Sequence, residues 1–280
     1  MSERFEGATM SRVLLWLAVA AIVVFCLFPF YWLINTSLKS GADLSGAALL
    51  PPSPSLDNYT SIFEDTAFTN ALRNSAIIAG SVTVLSLLIG SFAGYALARL
   101  HLPFKFLILA IVLSISTFPP IAIAAPVFEL WTDIGLYNTY LGLILPSLAF
   151  GLPLTVFIMA SFFHDIPREL EDAALVDGAT RLQAFRKVVV PLAAPGVVTA
   201  GLLVFIFAWN EFLFAITLTS TPERRPVPAA IAFFTGSQQF EIPLGTISAA
   251  SVVVTIPLIV LVLIFQRRIV AGLTAGAVKG

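Results

Sequence analysis

Six uncharged apolar runs govern what this chain can become: Val13 to Ile34, Ser75 to Leu97, Phe106 to Phe128, Leu141 to Phe163, Val197 to Leu218 and Thr246 to Phe265. Each is close to the roughly 20 residues that carry a helix across a hydrocarbon core of about 30 Å. Glu211, near one end of the fifth run, is the one side chain within them that is ionised at neutral pH when free in water. The pattern predicts an all-α membrane protein with six transmembrane helices, because only internally bonded backbone is tolerated in lipid. Composition agrees: 58% of residues are hydrophobic and 11% charged, against roughly 25% charged in a soluble domain. A water-soluble globule is excluded.

Basic residues are retained on the cytoplasmic side during insertion. With the N-terminus inside, the inner segments hold eleven (Arg4, Arg12, Arg99, Lys105, Arg168, Arg181, Arg186, Lys187, Arg267, Arg268, Lys279) and the outer segments four (Lys39, Arg73, Arg224, Arg225). Both termini are therefore expected in the cytoplasm. The first run is longer than the roughly 7–15 residue core of a secretory signal, so it reads as an uncleaved helix.

The formal net charge of −1 offers no field for nucleic acid. Cys26, His101 and His164 fall short of a tetrahedral ligand set, so no metal is expected. Neither a G-x-S-x-G elbow nor a set of paired carboxylates within the runs points to an enzyme. Gly90 and Gly94, one turn apart, predict close approach of a neighbouring helix. Pro119, Pro120, Pro146, Pro153 and Pro257 fall inside runs, where they either shape packing or line a pathway.

The connections differ in kind. The first outer one, with its Asp57-Asn-Tyr-Thr-Ser-Ile-Phe-Glu stretch, is expected to contain a short surface helix. The second carries Trp131, Tyr137 and Tyr140, rings suited to the headgroup level. The third, Thr219 to Gly245, surrounds Phe233 and Phe234 with prolines and arginines. It either tucks onto the protein's own surface or meets an outer partner. Trp209, Asn210 and Glu211 form a polar and aromatic cluster at the outer end of the fifth run. That cluster is either interfacial or faces a translocation cavity.

The inner connection from His164 to Gly196 is the most informative. Asp165 is a candidate helix cap, Pro167 fits a first turn, and Glu169, Glu171 and Asp172 put negative charge at a helix start. Gly178 supplies a left-handed stop. Thr180 and Gln183 then have capping-box spacing for a second helix through Leu182, Phe185 and Val189, expected to end at Pro191. Two short amphipathic helices thus meet at a glycine elbow. Their apolar sides pack either beneath the membrane helices or against a separate subunit.

The string from Glu171 through Asp172, Ala173, Ala174, Asp177, Gly178, Ala179 and Phe185 to Pro191 and Leu192 resembles the EAA motif of binding-protein-dependent ABC importer permeases. Asp172 stands where the plain spelling has Glu, which keeps the charge and shortens its reach. The six-run layout resembles a type I importer permease fold, the tail from Gly272 is similar to that of maltose-importer permeases, and the sequence as a whole is similar to permeases of mycobacterial-type trehalose importers. The resemblance covers nearly the whole chain and implies one transmembrane domain over 1–280, with a cytoplasmic elbow over 164–196 and a cytoplasmic tail over 266–280.

The resemblance implies a permease subunit of the bacterial plasma membrane that imports a di- or oligosaccharide of the trehalose or maltose class. It implies four kinds of partner: a second homologous permease, two ATP-binding cassette subunits, an extracytoplasmic sugar-binding protein and membrane lipid. By the resemblance this chain would bind no cofactor itself and ATP and Mg would belong to the partner subunits; no G-x-x-x-x-G-K-[ST] loop occurs in this sequence. By the same resemblance Glu171, Asp172, Ala173, Ala174, Asp177, Gly178, Phe185 and Pro191 form the coupling element. Gly272, Leu273, Thr274 and Gly276 would reach the ATPase subunits, and Phe233 and Phe234 the outer receptor. The rival expectation is an ion- or proton-coupled secondary transporter, for which only Glu211 is available.

Overall fold

The computed structural model describes residues 2–234 and 243–277, with side chains between 12 and 266 apart from 42 and 45. Every regular element among the described residues is helical. Four helices are long and apolar enough to cross a membrane: Arg12–Ser37 of α1 (Ser2–Ser37), α3 (Thr66–Arg99), α6 (Tyr140–Asp165), and Leu244–Gln266 of α13 (Leu244–Ala277). Two bent helix pairs raise the number to six if each is one span.

The third expected span is not continuous. It divides into α4 (Lys105–Thr117) and α5 (Pro120–Asp133), bent by 85°. Residues before proline are driven out of helical backbone, and Phe118 and Pro119 are accordingly extended, with ψ of 132° and 119°. Pro120 then opens α5 at a position that needs no N–H. By contrast Pro29, Pro146, Pro153 and Pro257 sit inside unbroken helices.

The fifth expected span also divides. α10 (Ala194–Trp209) stops and α11 (Leu213–Leu218) restarts after Asn210–Phe212. The 16 residues of α10 cover about 24 Å at 1.5 Å each, short of a full hydrocarbon core.

The chain divides into two compact units, Met1–Thr66 with Phe234–Ile256, and Ala67–Phe233 with Pro257–Gly280. In the first, the expected surface helix is α2 (Asp57–Glu64). Asn58 ties it down by donating its amide to the carbonyls of Ser37 and Lys39, at 2.9 and 2.8 Å. Lys39 is buried, its ammonium bonded to the Ala48 carbonyl at 2.9 Å and lying over the Trp32 ring.

In the second unit, α3 packs on α6 where Gly90 and Gly94 remove side-chain bulk. A Cβ on Gly90 would stand 2.5 Å from the Thr155 methyl, and one on Gly94 would stand 2.8 Å from the Ala160 nitrogen. The close approach expected from their spacing is present. Beyond it lies a core of Ala98, Met159, Phe163, Phe185, Val189, Ala193 and Ala200. Three of those residues, Phe185, Val189 and Ala193, come from the elbow, so that connection packs into this unit.

Candidate functional site

The elbow is set by local backbone chemistry. Ile166, forced to extended backbone ahead of Pro167, has ψ of 127° and terminates α6 at Asp165. Asp165 is the last residue of α6, its carboxylate 3.7 Å from His164, and the cap position of the next helix falls two residues later. Pro167 takes the cap position of α7 (Arg168–Val176), and Glu169 and Glu171 occupy its first turn. At the other end Gly178 has φ of 87°. Its N–H bonds to the Leu175 carbonyl at 3.0 Å and that of Ala179 to Ala174 at 3.0 Å, a Schellman closure.

The second arm starts with the predicted capping box. Thr180 Oγ1 accepts from the Gln183 N–H at 3.3 Å, and Gln183 Oε1 accepts from the Thr180 N–H at 2.8 Å. The arm runs from Arg181 to Leu192 through α8 (Arg181–Ala184), a π-helical turn (Phe185–Val189) and α9 (Val190–Leu192). It ends one residue past Pro191. The wider turn lets the Val190 N–H reach Phe185 O, so the ladder shifts register just before a residue with no N–H to give. The chain then turns by 76° into α10.

The elbow has two chemically different faces. On the inner one, Glu171 is buried at 8% exposure. Its Oε2 lies 3.2 Å from Arg99 Nε, and Tyr95 donates its hydroxyl to Oε1. The Arg99 Nε–H is out of line for a hydrogen bond, so this contact is an ion pair. Arg99 Nη2 donates instead to the Ile166 carbonyl at 2.8 Å. The Phe185 ring meets Tyr95 edge-on at 4.8 Å and Phe163 at 5.8 Å.

On the outer face Val176 is 87% exposed and Leu182 63%. Asp172, Ala173, Asp177 and Gly178 are exposed with them, and Ala174 is half-buried. Nothing lies within 4 Å of the place a Gly178 Cβ would occupy. A cavity of about 470 Å³ opens between α7 and the end of α3, lined by Tyr95, Arg99, Glu171, Asp172 and Arg181 among others.

Glu171 and Asp172, adjacent in sequence, thus have opposite fates: one is bonded within the chain and the other stays open. Tyr95 and Arg99 belong to this site although neither lies in the elbow sequence. Their spacing of four residues at the end of α3, which puts a hydroxyl and a guanidinium on one helical face, is the signal that marks them.

The other expected site residues lie apart from the elbow. Trp209 is buried and stacks on Phe205 at 5.5 Å. Asn210 turns back to the Ile206 carbonyl at 2.8 Å. Glu211 holds the restart of α11, accepting from the N–H groups of Phe214 and Ala215 at 2.7 and 2.9 Å. The three therefore form a helix break, and the Glu211 carboxylate has a structural task there.

Phe233 is exposed with the Arg225 guanidinium 3.8 Å from its ring centre; Phe234 follows it at half burial. The loop leading to them is anchored on its own chain. Asn74 donates to the carbonyls of Glu223 and Arg225, at 2.9 and 3.0 Å. Tyr140, expected at the headgroups, donates to Asn74 Oδ1 at 2.7 Å, and Trp131 to the Gly142 carbonyl at 2.7 Å. The Glu223 carboxyl is held below its ordinary range, first by its own backbone N–H and then by the Thr221 hydroxyl, with Arg224 and Arg225 adding to the effect. Gly272, Leu273, Thr274 and Gly276 lie on the helical backbone of α13, with their side chains outside the described residues.

Comparison with known proteins follows the same lines. Residues 86–274 match the family described as the binding-protein-dependent transport system inner membrane component. The chain is 50% identical over 270 residues to the trehalose transport system permease protein of Mycobacterium tuberculosis, covering 96% of this chain and 98% of that one. It is 44% identical over 282 residues to the sulfoquinovosyl glycerol transport system permease protein of Agrobacterium fabrum, covering 100% and 97%. It is 40% identical over 273 residues to the trehalose/maltose transport system permease protein of Thermococcus litoralis, covering 97% and 98%.

Its fold is similar to a chain of a bacterial ABC transporter that imports the acidic polysaccharide alginate, with TM-score 0.78 and 23% identity over 92% and 96% of the two chains. A second alginate transporter structure, in complex with a pentasaccharide-bound periplasmic protein, matches with TM-score 0.64 and 15% identity over 91% and 93%. With a family match spanning most of its length and relatives aligned nearly end to end, this chain belongs to the multi-pass inner membrane components of binding-protein-dependent transport systems.

Proposed function

We propose that this chain is one of two permease subunits of an ATP-driven importer carrying a di- or oligosaccharide of the trehalose or maltose class into the cytoplasm. In this reading it crosses the membrane six times as one transmembrane domain, α4 with α5 forming the third span and α10 with α11 the fifth, with both termini and the elbow in the cytoplasm. The eleven-to-four distribution of basic residues supports that orientation. The disaccharide class is supported by relatives 50% and 40% identical whose names specify trehalose and trehalose/maltose.

The observation that carries the coupling role is the outward face of α7: Val176 at 87% exposure beside exposed Asp172 and Asp177, on an elbow whose inner face is locked into the core. An apolar knob ringed by carboxylates suits a groove on a basic subunit. Two ATP-binding cassette subunits, which bind ATP and Mg, are its proposed partners. Asp172, Ala173, Ala174, Asp177 and Gly178 meet them directly, whereas Phe185 and Pro191 brace the second arm. The tail over 266–280 adds a further contact to the same subunits. An extracytoplasmic sugar-binding protein delivers the substrate on the opposite side, where the loop carrying Phe233 and Phe234 is its proposed contact.

The ion-coupled alternative relies on Glu211, and both oxygens of that carboxylate are bonded to backbone N–H groups. The test is uptake of labelled trehalose into vesicles holding the full complex and the binding protein. Import that stops on ATP removal and persists with a protonophore supports the proposal. Import that persists without ATP and collapses with the protonophore refutes it.

A further inference from the structure

Glu171 reads as an interface residue in the sequence but is bonded inside the chain, and this changes how force leaves the elbow. We infer that Tyr95, Arg99 and Glu171 form a positioning latch that fixes α7 to the end of α3, so that the two move as one body. This inference rests on the coupling role proposed above.

The chain grips the junction from several sides. Arg99 meets Glu171 at 3.2 Å and, through Nη2, the Ile166 carbonyl at 2.8 Å, just ahead of α7. Arg168, the first residue of α7, reaches back to the Ala98 carbonyl at 3.5 Å. Tyr95 completes the set through its hydroxyl on Glu171. The ion pair is shielded from water, with side-chain exposures of 6% for Arg99 and 11% for Glu171.

The covalent connections alone do not hold α7 in place. It is joined to α6 by the extended Ile166 and Pro167 and to the second arm by Gly178 at φ of 87°. Both are places where a nine-residue helix can pivot. The latch adds a constraint toward α3 to the packing of α7 on the second arm, and α3 is itself pressed against α6 at Gly90 and Gly94. Displacement of α7 is thus passed sideways to α3 as well as along the chain. Removing one member of a buried pair leaves the other charge uncompensated, which loosens the contact far more than trimming an exposed pair.

The experiment uses the complete importer in vesicles, with Cys26 replaced by Ala and spin labels at Leu100→Cys and Leu170→Cys, both exposed positions. The distance between labels is measured without nucleotide and with ATP trapped, and sugar imported per ATP is measured in parallel. The latch predicts one narrow distance in both states. Glu171→Gln is expected to make that distance change between states and to lower import per ATP roughly tenfold.

Tyr95→Phe, which removes a single hydroxyl, is expected to lower import per ATP roughly threefold. It decides the matter if Glu171→Gln fails to co-purify with the ATPase subunits. A distance that differs between states in the unmodified latch overturns the inference. So does an unchanged distance and import ratio in the variant that assembles. If that happens while Gly178→Pro still uncouples the complex, the coupling role survives and only the latch falls. If Gly178→Pro also leaves import per ATP unchanged, the coupling role itself fails.

Discussion

At the scale of single residues, Gly94 shows how little tolerance the α3 and α6 contact has. A Cβ there would stand 2.8 Å from a backbone nitrogen and 2.8 Å from the Met159 Cβ, neither of which can swing aside. Gly94→Ala is expected to destabilise the protein by about 1–3 kcal/mol through overpacking, read as a lower Tm in detergent. Gly178 faces open space, and its constraint is conformational. Gly178→Pro asks for φ near −65° where 87° is found and removes the N–H bonded to Leu175. It should therefore break the elbow without touching the core.

Glu211 separates two kinds of transporter at one position. Glu211→Ala removes the acceptors of two N–H groups at the start of α11 and is expected to cost about 1 kcal/mol, measured by thermal unfolding. Glu211→Gln keeps one acceptor oxygen and should leave ATP-driven import within about twofold of the parent, since a surviving cap loses only a fraction of that energy. Abolished import in Glu211→Gln, with normal assembly, would mean that its proton or charge takes part in transport.

At the scale of elements, the elbow divides into parts that local sequence specifies and parts that it does not. The Gly178 stop and the Thr180 and Gln183 box were legible because each depends on backbone geometry within a few residues. The π turn just ahead of Pro191, which absorbs its missing N–H, was not legible because it depends on Phe185 and Val189 sitting in the core. Asp165 likewise looked like a cap, but Pro167 sets the backbone of Ile166 and with it the end of α6. The inward turn of Glu171 depends on Arg99 and Tyr95, which are 72 and 76 residues away by number. The four-residue spacing of Tyr95 and Arg99 puts them on one face of α3, but nothing in it names Glu171 as their partner.

The same division predicts how the outer face of α7 behaves. Val176→Cys, in a chain whose lone cysteine Cys26 has been replaced by Ala, should crosslink to an ATPase subunit bearing a cysteine in its docking groove. Val176→Asp, which puts a third carboxylate beside Asp172 and Asp177, should weaken that association roughly tenfold, as charge at the centre of an interface does. Both are read by co-purification and gel shift. Crosslinking of Val176 to the binding protein instead would reverse the proposed orientation.

At the scale of the whole chain, apolar length was the most legible feature, because crossing a bilayer is a property of composition over about 20 residues. What length does not reveal is continuity. Pro119 and Pro120 bend the third run by 85°, whereas Pro146 and Pro153 leave α6 unbroken. Two adjacent prolines force consecutive residues out of helical backbone, whereas an isolated one loses a single N–H that neighbours can replace. The fifth run breaks without a proline, at Asn210 to Phe212, where Glu211 restarts the helix through its own carboxylate.

The most direct measurement records sugar import and ATP hydrolysis together in vesicles containing the full complex, for the parent chain, Asp172→Arg and Gly178→Pro. Coupling through the elbow predicts that both variants assemble and continue to hydrolyse ATP while import per ATP falls at least about tenfold, the loss expected when a rigid mechanical link is broken. Variants that assemble and import as much sugar per ATP as the parent would contradict it.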